Sequence, residues 1–87
     1  MRHSILTAAD ILINGQRAQL YGPPSKGWGV VAKLWSDLLG IEITTKQALL
    51  MMVLLKVSRE NEKEDEDNLI DGAGYFGVIE KLLKEEK

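Results

Sequence analysis

An all-α fold, a small antiparallel bundle of about four helices, is predicted by three observations. Apolar residues recur at three- and four-residue spacing through most of the chain. Ser4, Gly15, Gly40 and Thr44 stand where those periodic stretches begin or end, and they are residue types that cap or stop helices. The strand-like alternation of "IEIT" (41–44) is too short to pair alone. With 87 residues there is room for one domain, read here as spanning 1–87.

The first helix is read over 4–14. Ser4 is its N-cap, Ile5, Leu6, Ala9, Leu12 and Ile13 share a face, and Asn14-Gly15 stops it. Residues 15–27 read as a loop ending at Gly22 and two prolines. A second helix follows over 26–40, with Ser25 as N-cap and Gly40 as C-terminal cap. Its inner face carries Val31, Leu34, Trp35, Leu38 and Leu39. The third helix (45–61) begins at a cap on Thr44 or Thr45 and contains "ALLMMVLL", apolar on every side. Such a helix is packed all round, either centrally or against another subunit. The acidic stretch "ENEKEDED" (60–67) reads as a solvated loop whose carboxylates favour the positive N-terminal end of the last helix, with loose Mg²⁺ binding as its sharper alternative. The last helix runs over 68–87.

That last helix holds a literal G-x-G-x-x-G: Gly72, Gly74 and Gly77. A dinucleotide fingerprint needs a strand before the first glycine, and "EDEDNLID" contains none. The apolar positions Leu69, Ile70, Ala73, Phe76, Ile79, Leu82 and Leu83 run through the glycines with a helical period. Each glycine costs about 0.5–1 kcal/mol in a helix interior relative to alanine. Close approach of a neighbouring helix or a ligand is the reason to expect them.

Composition excludes several classes. The chain is 45% hydrophobic and 28% charged, as in an ordinary globular protein. Its net charge of -2 argues against general nucleic-acid binding. The longest apolar run, 48–55, falls far short of the roughly 20 residues of a membrane span. Without cysteine there are no disulfides or thiolate metal sites, which fits the cytoplasm, and no targeting segment is read at the N-terminus. His3 stands alone and supports neither metal binding nor catalysis. A domain this short buries only roughly 60–65% of its unfolded surface, so homo-oligomerisation is expected to complete the bundle.

The polar residues beside the core carry the functional question. Asp67, Asp71 and Tyr75 lie on one helical stripe; Met52, Lys56 and Arg59 lie on another, on the preceding helix. A connection of about five to eight residues makes these helices antiparallel neighbours. Two readings fit. One is a structural ion-pair network; the other is a pocket in which Lys56 and Arg59 bind phosphate while Asp71 and Tyr75 orient them or hold a sugar or base. Trp28, flanked by glycines, is a candidate lid.

Together, "NGQRAQLYGPP", "LWSDLLG", "ITTKQALLMMVLLKVSR" and "DNLIDGAGY" resemble a family of small helical phage and prophage proteins. More distantly the arrangement is similar to the all-α nucleoside triphosphate pyrophosphohydrolases of the MazG and dimeric dUTPase type. Those place Glu-x-x-Glu on one helix and Glu-x-x-Asp on the next to hold Mg²⁺ on a triphosphate. Asp67, Asn68 and Asp71 stand where the second motif falls, but Lys56 and Arg59 replace the first. Two cations cannot hold Mg²⁺ but can bind phosphate directly.

The resemblance therefore implies a nucleotide or another phosphorylated small molecule as ligand, with no cofactor. The expected contacts are Lys56, Arg59, Asp67, Asn68, Asp71 and Tyr75, closed over by Arg17 and the Tyr21-Gly22 turn. A Mg²⁺-dependent variant pyrophosphohydrolase and a protein-interaction module docking through the third helix are the alternatives.

Overall fold

The computed structural model describes residues 4–15 and 22–86. Arg17, Tyr21 and His3 lie outside them. Four helices lie among the described residues: α1 (Ile5–Asn14), α2 (Pro24–Leu39), α3 (Thr45–Glu62) and α4 (Glu66–Glu85). No strand occurs among the described residues.

Local chemistry sets the helix ends. Ser4 Oγ accepts from the Thr7 N–H at 3.1 Å and caps α1. Gly15 ends α1 in extended backbone, its N–H donating to the Ile11 carbonyl at 2.8 Å. Helix α2 starts two residues earlier than expected and its N-cap is Pro23, not Ser25. Proline at the first helical position explains this: Pro24 has no N–H for the first turn to orphan, and its ring already holds a helical φ. Gly40 closes α2 at φ 72°, in the left-handed region that favours glycine. Ser36 Oγ then accepts from the Ile43 N–H at 2.7 Å and draws the connector back against α2.

A capping box starts α3. Thr44 Oγ1 accepts from the Gln47 N–H at 3.1 Å, and Gln47 Oε1 accepts from the Thr44 N–H at 2.9 Å. The acidic stretch is mostly helical rather than a loop. Glu60 and Glu62 finish α3, Glu66 and Asp67 form the first turn of α4, and only residues 63–65 connect them. Glu60 Oε1 accepts from the Asp65 N–H at 2.9 Å, while Asp65 Oδ1 caps α4 through the Asp67 N–H at 3.0 Å. Carboxylates at that end also meet the positive end of the helix dipole.

Gly72, Gly74 and Gly77 all lie inside α4. A Cβ on Gly74 would stand 3.5 Å from Ile13 Cγ2, and one on Gly77 would overlap Ile13 Cδ1. The close neighbour these glycines admit is therefore α1. Helix α4 packs against α1, α2 and α3 and is the hub of the fold. Around it, Leu49 and Leu82 are fully buried, with Ala9, Ala32, Ala48, Val53 and Ile79.

The molecule measures 45 × 31 × 21 Å. Its thinnest dimension is about two helix diameters, so no helix can be covered on every side. Helix α3, expected to be packed all round, buries Ala48, Leu49 and Val53 but leaves Leu54 66% exposed, with Leu50, Leu55 and Val57 also in the open.

Candidate functional site

The close approach of α1 to α4, together with the Gly22-Pro23-Pro24 entry to α2, leaves a pocket of about 520 Å³ between these three helices. Helix α1 contributes Leu12 and Ile13; α2 contributes Pro24, Gly27, Trp28 and Val31. Helix α4 contributes Asp71, Gly74, Tyr75, Val78 and Lys81, a stripe that recurs every three or four residues. The walls are largely apolar, and the size falls inside the roughly 300–1,000 Å³ of small-molecule sites.

Two aromatic rings form part of the wall. Trp28 and Tyr75 meet edge to face, with centroids 5.6 Å apart and planes at 87°. This geometry suits the ring quadrupoles and holds both side chains in place. Trp28 is thus packed into the wall through a partner on α4. Trp28 and Tyr75 also rest on the core formed by Leu49, Ile79 and Leu82, which ties the site to the buried core.

Two charged residues complete the lining. Asp71 Oδ2 lies 3.0 Å from Lys56 Nζ, with side-chain exposures of 36% and 13%. Lys56 reaches this carboxylate from α3 and stands behind the pocket wall, to which α3 contributes no residue among those described. Gly72 lies beside this pair, and a Cβ there would stand in ordinary contact, 3.9 Å from Lys56 Cβ. Further down α4, the half-buried Lys81 donates through Nζ to the Ile13 carbonyl at the C-terminal end of α1.

The residues singled out from sequence are therefore separated into groups. Lys56, Asp71 and Tyr75 come together at the pocket. Asn68 donates through Nδ2 to Glu60 Oε1 at 3.3 Å and serves the α3–α4 junction. Asp67 is exposed, as is Arg59, which makes no ion pair among the described residues. Arg59 thus does not join Lys56 beside Asp71. Lys81 was not anticipated, although extending the stripe from Asp71 and Tyr75 by helical steps reaches it.

A triphosphate-bound Mg²⁺ is the group the distant hydrolase resemblance implies. These donors do not fit it: Asp71 is held by a lysine, Asp67 is exposed and does not line the pocket, and no group of three or more His, Asp or Glu able to hold a metal forms among the described residues.

No helix among the described residues is long and apolar enough to cross a membrane. No solved structure matches the chain. Over 81 residues the chain is 44% identical to the Gene 55 protein of Mycobacterium phage L5, covering 91% of this chain and 52% of that one. Over 86 residues it is 35% identical to the Gene 55 protein of Mycobacterium phage D29, covering 98% of this chain and 57% of the relative. The chain thus spans little more than half the length of these phage relatives. Residues 4–83 match the family described as Domain of unknown function (DUF6378), and the chain belongs to that family.

Proposed function

We propose that this domain binds a nucleotide-type small molecule in the pocket between α1, α2 and α4. The ligand's flat ring lies against Trp28 and Tyr75, and Asp71 accepts a hydrogen bond from an amino or hydroxyl group. The observation that carries this reading is an oriented carboxylate at the rim of an aromatic-lined pocket. Lys56 then acts as a positioning residue that holds and aims the Asp71 carboxylate, rather than as a phosphate contact. Arg59 is a surface cation. A binder of this kind suits sequestration of a host nucleotide signal or a part in phage nucleotide metabolism. The reading of a Mg²⁺-dependent hydrolase is less favoured, because the carboxylates do not converge.

Calorimetric titration with the four deoxynucleoside monophosphates tests this. At least one should bind saturably, and Trp28→Ala should weaken it about tenfold or more, since base stacking contributes about 1–3 kcal/mol. Absence of binding by all four at millimolar concentration would refute it.

A second reading concerns association. Val30, Leu34 and Leu38 make an exposed stripe on α2, and Leu50, Leu54 and Val57 make another on α3. Contiguous apolar surface of this kind marks contact sites. It supports self-association of the bundle, in which the Glu60–Asn68 and Lys56–Asp71 pairs fit antiparallel α3 and α4. Sedimentation as a 9.7 kDa monomer at micromolar concentration would overturn this second reading.

A further inference from the structure

The geometry points to Lys81, rather than Lys56 or Arg59, as the residue that reads the anionic end of the ligand; we propose that it contacts the phosphate of a nucleoside monophosphate. This rests on the pocket between α1, α2 and α4 being the binding site. Asp71 and Lys81 both line it, and they stand ten positions apart on one helix. That places their Cα atoms roughly 15 Å apart along the axis. Helical side chains lean towards the N-terminus, so the Lys81 ammonium reaches back along the pocket and shortens the gap.

Asp71 and Lys81 thus stand at opposite ends of the stripe that α4 gives to the lining, an acceptor at one end and a cation at the other. The two ends differ in their state of compensation. Asp71 already has Lys56 at 3.0 Å. Lys81 has no carboxylate partner among the described residues, and one of its three ammonium protons goes to the neutral Ile13 carbonyl. A half-buried cation gains most from an anion that can take the remaining donors. Lys56 cannot fill this role while Asp71 holds it, and Arg59 lies on the exposed surface. A nucleoside monophosphate meets the requirement from one end to the other: a ring beside Trp28 and Tyr75, donors for Asp71, and a phosphate at Lys81.

The test compares each deoxynucleoside with its monophosphate by calorimetry on the full chain, in wild type, Lys81→Gln and Lys81→Arg. Glutamine keeps an N–H donor for the Ile13 carbonyl and removes the charge. Wild type should prefer the monophosphate about ten- to a hundredfold, the range of a charge-assisted contact. Lys81→Gln should abolish that preference, and Lys81→Arg should restore it. Should Lys81→Gln melt early, Lys81→Met with a folded circular dichroism spectrum serves the same comparison. A monophosphate preference that survives loss of the charge overturns the role of Lys81 but leaves the pocket reading standing. No binding of either form to wild type overturns both.

Discussion

Helices α3 and α4 divide the work of this fold in a way their compositions conceal. Helix α3 is the more apolar in its middle, yet it leaves Leu50, Leu54, Leu55 and Val57 in the open. Helix α4 carries three glycines and a string of charges, yet it packs against every other helix and lines the pocket. Centrality here follows from how near a neighbour can come. Ile13 of α1 occupies the space that a Cβ on Gly77 would fill, and it lies in direct contact over Gly74. Hydrophobicity without a facing partner leaves α3 at the surface of a two-helix-thick slab.

Four substitutions, all read by urea or thermal unfolding, sharpen or break that contrast. The largest effect should come from the hub itself. Leu82→Ala empties a fully buried position and should destabilise by about 2–5 kcal/mol, whereas a loss below 1 would show that α4 is not the centre of the core. Next, Gly77→Leu drives a side chain into Ile13 and should cost about 1–3 kcal/mol. Gly72→Ala should have the opposite sign. A Cβ there meets Lys56 Cβ at an ordinary 3.9 Å, so the helix propensity of alanine should stabilise by about 0.5–1 kcal/mol. Equal destabilisation by both glycine changes would mean that α1 is not what the glycines serve. Smallest of all, Arg59→Ala lies on exposed surface and should stay within about 0.5 kcal/mol of wild type. A larger loss would place Arg59 in a contact that the described residues do not contain.

For Leu54→Ser the informative readout is assembly. This exposed side chain has little to lose in a monomer, so a drop in sedimentation coefficient at unchanged melting temperature is the expected mark of a covering subunit.

Much of the fold was legible from local chemistry. Ser4, Thr44 and Gly40 announce helix ends because a cap depends on residues within one turn of it. Ser25 misled because Pro24 beside it is the stronger signal: a proline has no N–H to satisfy and a φ already set. The acidic run misled for the reverse reason. Its charge suggested a solvated loop beside the positive end of the last helix, but the carboxylates enter the helices themselves, so the run splits between two helix ends.

The site was legible only in part. Placing Lys56 and Arg59 on one stripe needs nothing beyond a 3.6-residue repeat, and so does placing Asp71 with Tyr75. A stripe on a helix is nevertheless wider than one contact. Lys56 reaches Asp71 at 3.0 Å while Arg59, three residues further on, stays at the surface.

What the sequence by itself determined is therefore the helical periods, most of the caps, and the dismissal of the G-x-G-x-x-G as a phosphate loop. Each of these depends on residues a few positions apart. Only the tertiary structure decided that Ile13 of α1 packs over Gly77, that Trp28 meets Tyr75, and that Lys81 reaches Ile13 across most of the chain. Those contacts are made by residues far apart in sequence. Their distances are set by how four helices pack, and no local repeat encodes that.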